Sequence, residues 1–296
     1  MSVYSKLFMQ YSINEEDSIK LKINKDTPQR TLSSLLFSLF ISDIEAHFRT
    51  FGLSGLGLRG SLEILLMAFA DDIVILAESE RDVQRKLDAL ESYCYLNSLQ
   101  VNVPKTKVLV FHRSPKLKRI GSFHYGSQKV ELVKEYTYLG IVFCSSGKFY
   151  QAAKDRISKA SKASGATLNI LSKAKPNSIF STIKLLDNII DTALLYGDEC
   201  WAQEYVQELE TIPSSFLKRA LGLSRNTPHY LLGLETVRTS LEVEVLKRNL
   251  GWLGKLVAMP NDRIPKKMPP EDVIRCRVPN FFTNSQLDLQ AENSTR

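Results

Sequence analysis

Two adjacent acids, Asp71 and Asp72, lie between the apolar segments 64–69 and 73–76 and carry the clearest chemical potential in this sequence. Adjacent carboxylates repel each other, and a turn between buried strands tolerates them best when a divalent cation neutralises their charge. Their hard oxygen ligands suit Mg²⁺, whose coordination shell is usually completed by water and substrate phosphates. The pattern therefore indicates phosphoryl chemistry with Asp71 and Asp72 as metal ligands. The alternative is a polar turn without a ligand, since Asp is common in turns.

Basic residues are concentrated in two stretches, 105–119 and 154–175, each of which holds six Lys or Arg residues. The second stretch contains one acid, so little of its positive charge is neutralised locally. Arg156, Lys159 and Lys162 follow helical spacing and are predicted to share a face suited to a phosphate backbone. A charged face that is merely solvated is the alternative.

The acids need elements that hold them in place, and the hydrophobic pattern supplies candidates. Segments 64–69 and 73–76 predict a tight antiparallel hairpin with Asp71 and Asp72 at its tip. Before it, apolar residues at helical spacing predict a core helix over 31–51. After it, Ser79 is a predicted N-cap of an amphipathic helix that ends near Leu99.

The predicted secondary structure changes at about Gly147, from a mixture of strands and helices to helices alone. Further strands are predicted at 19–23, 100–103, 108–112, 120–125, 129–133 and 136–143. Helices are predicted at 148–172, 178–201, 205–221 with an interruption at Pro213, and 236–258. We therefore predict an α+β fold: an antiparallel sheet with helices over 1–147, an all-α subdomain over 148–258, and a proline-rich, loosely ordered tail over 259–296.

Composition is that of a globular protein with a modest basic excess. The 39 Lys and Arg residues exceed the 32 Asp and Glu residues by seven, which gives a pI of about 9.1 and leaves a nucleic-acid partner open. No apolar run reaches the length of a membrane span, so no membrane partner is expected. The four cysteines form no CxxC pair, which favours free thiols in a reducing compartment. We expect an intracellular protein, nuclear or cytoplasmic, of unspecified oligomeric state.

Several motifs occur together in one order along the chain. After Phe-Ala-Asp-Asp at 69–72 come Leu-Gln-Val-Asn-Val-Pro-Lys-Thr-Lys at 99–107, Tyr-Thr-Tyr-Leu-Gly at 136–140 and Leu-Leu-Tyr-Gly-Asp-Glu-Cys-Trp at 194–201. In these motifs the chain resembles the reverse transcriptases of non-LTR (LINE-type) retrotransposons, from about Lys20 to Ala258. Each motif alone is weak, whereas the four in this order are jointly specific.

The resemblance implies a polymerase palm followed by a helical thumb, and DNA synthesis from dNTPs on an RNA template with a DNA primer. Two Mg²⁺ ions held by carboxylates would serve this reaction, with Asp71 at the metal-ligand position and Asp72 beside it. Lys105 matches the lysine near the incoming triphosphate, although a solvated turn lysine is the alternative. Tyr138, Leu139 and Gly140 match the turn of the primer grip. Tyr138 is also a candidate packing residue.

The chain departs from the family in two places. Segment 32–37 matches the end of the motif Arg-Gln-Gly-x-Pro-Leu-Ser-Pro-Leu-Leu-Phe, but the first half reads Thr-Pro-Gln-Arg-Thr at 27–31, without the Gln and Gly in their places. The family's glycine lets the backbone approach the nascent base pair, which the side chain of Gln29 would obstruct. The family's first catalytic Asp, on an upstream strand, and the fingers have no evident counterpart in these 296 residues. We therefore expect a truncated, impaired polymerase. The alternative is a non-catalytic nucleic-acid-binding remnant of a retroelement.

Overall fold

The computed structural model of the chain describes residues 8–12, 18–22, 33–57, 62–112, 120–174 and 178–267. These residues form helices and short strands, so the predicted α+β class is confirmed. No helix among them has the length and apolar character needed to cross a membrane. The chain divides into two compact units, the first composed of Met1–Leu58, Glu63–Val103 and Phe123–Lys129, and the second of Arg59–Leu62, Pro104–Ser122 and Val130–Arg296.

The strands are short, and most of their pairs are antiparallel. They are β1 (Phe8–Ser12), β2 (Ser18–Lys22), β3 (Leu56–Gly57), β4 (Glu63–Ile64), β5 (Leu66–Phe69), β6 (Asp72–Ile75), β7 (Lys107–Leu109), β8 (Phe123–Tyr125), β9 (Gln128–Val133), β10 (Glu135–Tyr138) and β11 (Ile141–Cys144). Antiparallel pairs join β1 to β2, β3 to β4, β5 to β6 and β10 to β11. Strand β7 instead runs parallel to β9, with Lys107 opposite Glu131.

Helices occupy most of the remaining described residues. They are α1 (Ser33–Phe40), α2 (Ile44–Thr50), α3 (Glu80–Leu96), α4 (Tyr150–Ala174), α5 (Ile179–Leu185), α6 (Thr192–Leu194), α7 (Val206–Ala220), α8 (His229–Thr236), α9 (Leu241–Ala258) and α10 (Ile264–Lys267). A π-helical turn, Leu186–Asp191, joins α5 to α6, and the 3₁₀ turns Asp198–Cys200 and Ala202–Tyr205 precede α7.

Apolar clusters account for the stability of each unit. In the first unit, Phe48, Leu65, Ala89 and Tyr93 belong to a buried cluster that joins α2 and α3 to the segment before β5. In the second unit, the buried cluster comes from α4, from the chain between α5 and α7, and from α7 to α9. Burial of these side chains supplies the main driving force for folding.

Several predicted elements differ from those observed. The helix predicted over 31–51 is divided into α1 and α2 by the turn Ile41–Asp43, and residues 31 and 32 lie outside the described residues. No strand forms at 100–103, and the strand predicted over 136–143 is the hairpin β10–β11. Helix α8 was not predicted, since the helix predicted over 236–258 begins at the residue where α8 ends.

The predicted interruption at Pro213 is wrong, since α7 continues through that residue. A proline inside a helix removes one intrahelical hydrogen bond, a cost that packing must offset. Pro213 is buried together with Leu209, Phe216 and Leu217 of the same helix, so the apolar face of α7 supplies that packing. The region predicted as a tail contains α10, and residues 268–296 lie outside the described residues.

Candidate functional site

The two adjacent acids lie at the tip of the β5–β6 hairpin in the first unit. Phe69 pairs with Asp72 across the hairpin, so Ala70 and Asp71 form a two-residue turn and Asp72 is the first residue of β6. Both acids are exposed. The hairpin therefore presents its two carboxylates to solvent, as the spacing predicted.

The backbone at this tip is strained. Ala70 has a φ of 53°, in the left-handed region that L-residues other than Asn and Asp seldom adopt. Such conformations cost roughly 1–2 kcal/mol and persist where the surroundings enforce them. The cross-strand pair Phe69–Asp72 enforces it here, because it closes the hairpin in two residues.

A buried lysine fixes the base of the same hairpin. The Lys86 side chain is 1% exposed, and its Nζ donates hydrogen bonds to the Leu76 carbonyl oxygen and to Asp82 Oδ2, both at 2.7 Å. The Leu76 N–H donates to the Leu65 carbonyl oxygen at 3.0 Å. The chain leaving β6 is thus held both by the segment before β5 and by α3.

The predicted helix after the hairpin begins as its sequence indicated. The Asp82 N–H donates to Ser79 Oγ at 3.2 Å, which confirms Ser79 as the N-cap of α3. Helix α3 ends at Leu96, three residues before the predicted end. Apolar residues of the hairpin, Leu66, Ile73 and Ile75, pack against the first-unit core, while Met67 and Phe69 are exposed. Burial therefore decreases from the base of the hairpin to its acidic tip.

The donor set at the tip fits a hard divalent cation, because it consists of carboxylate oxygens that are open to solvent. Asp71 and Asp72 can provide some of the ligands, with water and substrate phosphates as the others. Within the described residues, however, no group of three or more His, Cys, Asp or Glu side chains is placed to hold a metal ion. The hairpin thus offers two candidate carboxylate ligands, and whether it binds metal stays a prediction.

Lys105 lies in the second unit, in the turn that precedes β7, and is exposed. Its neighbour Lys107 forms an ion pair with Glu131 at 2.6 Å, across the parallel strands β7 and β9. The two lysines of the Asn-Val-Pro-Lys-Thr-Lys element therefore lie in different settings: Lys107 is half-buried and pairs with Glu131 of β9, and Lys105 is exposed on the turn.

The Tyr-Leu-Gly motif forms the turn of the β10–β11 hairpin in the second unit. Tyr138 pairs with Ile141, and both intervening residues have positive φ, 46° at Leu139 and 81° at Gly140. Two-residue hairpin turns with positive φ at both positions favour Asn-Gly or Gly-Gly, because β-carbons crowd the backbone there. Leu139 is thus an unfavourable residue in this turn, and it is 39% exposed.

Two side chains from later in the sequence contact this turn. The Arg156 guanidinium of α4 donates a hydrogen bond to the Gly140 carbonyl oxygen. The Tyr196 hydroxyl donates to the Leu139 carbonyl oxygen at 3.1 Å, and the Arg156 guanidinium carbon lies 4.7 Å from the centre of the Tyr196 ring. We call Arg156 and Tyr196 the turn clamp. Tyr196 belongs to the Leu-Leu-Tyr-Gly-Asp motif, but the sequence does not predict its contact with this turn, since the two partners are 57 residues apart.

The basic face predicted on α4 is divided in the structure. Arg156 is only 7% exposed and faces the turn, whereas Lys159 and Lys162 are exposed. The reason is helical geometry, because six residues at about 100° each place Lys162 roughly 120° around the helix from Arg156. Lys159 forms an ion pair with Asp155 at 2.8 Å. An exposed phosphate-binding role for Arg156 therefore does not fit its position, and the solvent-facing cations of the predicted set are the two lysines.

The Tyr-Gly-Asp motif places a glycine against the same hairpin. Gly197 has a φ of 67°, and a β-carbon on it would lie 2.6 Å from Ile141 Cδ1. A side chain at this position would therefore be strained by the backbone conformation, and the Ile141 side chain of β11 would have to shift to admit it. The Trp201 indole N–H donates to the Tyr196 carbonyl oxygen at 3.4 Å, which helps to fix the turn that carries Tyr196.

Two acids are buried in the second unit away from the hairpin. Burial raises the pKa of the Asp198 carboxyl to about 6 against the opposing effect of Arg248, whose Nη1 lies 3.5 Å from Asp198 Oδ1. Burial likewise raises the pKa of Asp191 to about 6, against the opposing effect of Arg238. Each acid thus has an arginine partner within the second unit.

Comparison with known proteins gives a family match over a range that includes the β5–β6 hairpin and the Tyr138–Gly140 turn. Residues 2–143, just under half of the chain, match the family model of reverse transcriptase (RNA-dependent DNA polymerase). An uncharacterized transposon-derived protein of Caenorhabditis elegans is 26% identical over 205 residues, which cover 67% of this chain and 73% of that protein. The expected resemblance to reverse transcriptases is confirmed at the level of the family. The non-LTR subtype stays a prediction.

Proposed function

We propose that this chain is the palm and thumb portion of an RNA-directed DNA polymerase of the non-LTR retrotransposon type. The observation that carries the proposal is the β5–β6 hairpin, whose exposed acids Asp71 and Asp72 lie inside the range that matches the reverse transcriptase family. The transposon-derived relative supports an origin in a mobile element. In this proposal residues 1–147 are the palm, 148–258 the thumb and 259–296 a tail.

The proposed reaction joins a dNTP to the 3′-hydroxyl of a DNA primer on an RNA template. Asp71 and Asp72 would hold divalent metal, for which we propose Mg²⁺. When bound, such ions lower the cost of deprotonating the 3′-hydroxyl and offset the charge that develops on the leaving pyrophosphate. Lys105, exposed on its turn, would bind triphosphate oxygens as a point charge.

The turn Tyr138–Gly140 and the exposed lysines of α4 would bind the nucleic acid. We propose that the turn contacts the primer near its 3′ end, as the resemblance implies. Lys159 and Lys162 would contact phosphates without regard to sequence, and their affinity would decrease with salt concentration. Charges of this kind position the duplex, while the template base selects the incoming nucleotide.

We further propose that the chain by itself is a poor catalyst. Its described residues bring together no third carboxylate with Asp71 and Asp72, and the family's first catalytic Asp has no evident counterpart in the sequence. Fewer ligands weaken cation binding and loosen the position of the reacting groups, and reaction rates decline steeply when that geometry is lost. Primer extension no faster than that of an Asp71→Ala variant is therefore expected.

Binding of the correct dNTP tests the function separately from the rate. The purified chain is mixed with an RNA template and a 3′-deoxy-terminated DNA primer, and dissociation of the fluorescent duplex is measured with and without Mg²⁺ and the next dNTP. We expect the complementary dNTP to slow dissociation only with Mg²⁺, and Asp71→Asn to abolish that effect. Asp88→Asn, an exposed acid on α3, is the matched control.

The same measurement identifies the alternative, a nucleic-acid-binding remnant of a retroelement. In that case the duplex would bind with strong salt dependence but without regard to Mg²⁺, dNTP or Asp71. Affinity would then be lost on reversing the charges of Lys159 and Lys162. That outcome would contradict the polymerase proposal and favour the remnant.

A further inference from the structure

The β10–β11 turn has an unfavourable backbone conformation at an exposed position. It has positive φ at two successive residues, the first of them is a leucine, and that leucine is exposed at the tip. Strained backbone conformations persist only where surrounding contacts over-determine them, and they occur most often at functional positions. Contacts from the surrounding structure are therefore expected to hold this turn in place.

The turn clamp provides those contacts. Both carbonyl oxygens of the strained residues accept hydrogen bonds, that of Leu139 from the Tyr196 hydroxyl and that of Gly140 from the Arg156 guanidinium. In a two-residue turn these carbonyls have few partners within the hairpin, so donors from elsewhere in the chain can fix their orientation. One donor comes from α4 and the other from the turn after α6.

The two clamp residues also fix each other. The Arg156 guanidinium stacks on the Tyr196 ring at 4.7 Å, an interaction that a planar guanidinium supports better than an ammonium group does. Arg156 is 7% exposed, and a β-carbon on Gly140 would lie 3.3 Å from Tyr196 Cε1 and 3.4 Å from Arg156 Nη2. Glycine at position 140 thus serves the close approach of both side chains as well as the turn.

We propose that Arg156 and Tyr196 are positioning residues that hold the Tyr138–Gly140 turn in the conformation that presents Leu139 to the end of the primer strand. The inference rests on the proposed function, because it takes the turn as the primer contact. It assigns Arg156 a role other than phosphate binding, and it gives a role to Tyr196. Neither side chain needs to touch nucleic acid in order to affect primer binding.

Hydrogen exchange of the free chain tests the clamp without any assay of activity. Tyr196→Phe keeps the ring but removes the hydroxyl, and Arg156→Lys keeps the charge but removes the planar stack. Each variant should speed amide exchange in peptides covering 135–144 by about three- to tenfold, the range expected for one lost hydrogen bond. The controls are Tyr230→Phe and Arg219→Lys, two exposed positions on α8 and α7.

A rescue variant shows whether the clamp acts through the turn. Leu139→Asn suits positive φ, so combining it with Tyr196→Phe should restore slow exchange over 135–144. Unchanged melting temperatures would show that the variants remain folded. Exchange in Tyr196→Phe and Arg156→Lys equal to that of the controls would overturn the clamp.

Primer binding tests the functional half of the inference. Affinity is compared for an RNA–DNA hybrid with a recessed DNA 3′ end and for a blunt hybrid of equal length. Tyr196→Phe and Arg156→Lys should reduce the preference for the recessed end several-fold while leaving the affinity for the blunt hybrid unchanged. Equal losses on both hybrids would contradict a positioning role. If the wild-type chain showed no preference for the recessed end, the turn would not be a primer contact. The hydrogen-exchange result would still show whether Arg156 and Tyr196 hold the turn.

Discussion

The Tyr196 hydroxyl donates a hydrogen bond to the Leu139 carbonyl oxygen, and this contact joins the turn after α6 to the tip of a β-hairpin 57 residues earlier. The next residue, Gly197, lies against the Ile141 side chain of the same hairpin, which would have to shift to admit a β-carbon. The segment carrying Tyr196 is therefore fitted to β11 by two independent features, a hydrogen bond and a close approach.

Replacing Gly197 with alanine should destabilise the second unit. The β-carbon would lie 2.6 Å from Ile141 Cδ1, and the backbone would keep a φ of 67° that disfavours alanine. We expect a loss of about 2–3 kcal/mol in the free energy of unfolding, measured by denaturant titration. Gly165→Ala in α4 is the control, because a β-carbon there meets no atom within 4 Å and should stabilise the helix by up to about 1 kcal/mol. Equal effects of the two changes would contradict the close approach.

Replacing Lys86 with methionine should loosen the base of the acidic hairpin. The change leaves the Leu76 carbonyl oxygen and Asp82 without their common, buried donor, which is expected to cost about 2–4 kcal/mol. Hydrogen exchange over 66–76 should accelerate together with the drop in stability. The control is Arg81→Met, an exposed change on the same helix, which should alter neither stability nor exchange measurably. If Lys86→Met also left both unchanged, Lys86 would not hold the base of the hairpin.

The strain at Ala70 can be measured by comparing two alanine-to-glycine changes. At Ala70 glycine relieves an unfavourable φ of 53°, which offsets the loss of chain entropy. Ala68 lies on β5 and has an ordinary backbone conformation, so glycine there relieves no strain and only increases the loss of chain entropy on folding. We expect Ala70→Gly to be more stable than Ala68→Gly by about 1 kcal/mol or more in thermal unfolding. A reversed order would show that the turn is not strained.

The buried acid Asp198 should make stability depend on pH. Its pKa is raised by burial to about 6 from an ordinary value near 3.8, so the folded chain binds a proton that the unfolded chain has already lost between these values. Stability should therefore decrease as the pH rises from about 4 to 6, by up to about 3 kcal/mol from this group. Asp198→Asn should flatten that decrease.

Unfolding by denaturant at several pH values between 4 and 8 measures the effect. Asp262→Asn, an exposed acid near α10, serves as the control and should leave the profile unchanged. A wild-type profile that rises between pH 4 and 6 and an Asp198→Asn profile parallel to it would together contradict the role given to this carboxyl.

The sequence predicted features that depend on local spacing, such as the acidic hairpin, the Ser79 cap and the α+β class. Those features follow from hydrophobic periodicity and turn chemistry over a few residues. It did not predict the burial of Arg156 or the role of Tyr196, because both depend on contacts between segments distant in the chain. Pro213 illustrates the same limit, since its tolerance depends on the packing of α7 and not on local propensity.

The proposal that the β5–β6 hairpin binds the metal ion of polymerase chemistry is tested most directly by local cleavage. Fe²⁺ takes the place of Mg²⁺ at oxygen ligands, and with ascorbate and peroxide it cuts chains close to where it is bound. With primed template and complementary dNTP, we predict cleavage of the protein at 69–73 and of the DNA at the primer end. Both cuts should be lost in Asp71→Asn and retained in Asp88→Asn. Cleavage spread evenly along the chain, or unaltered by Asp71→Asn, would contradict a metal site at this hairpin.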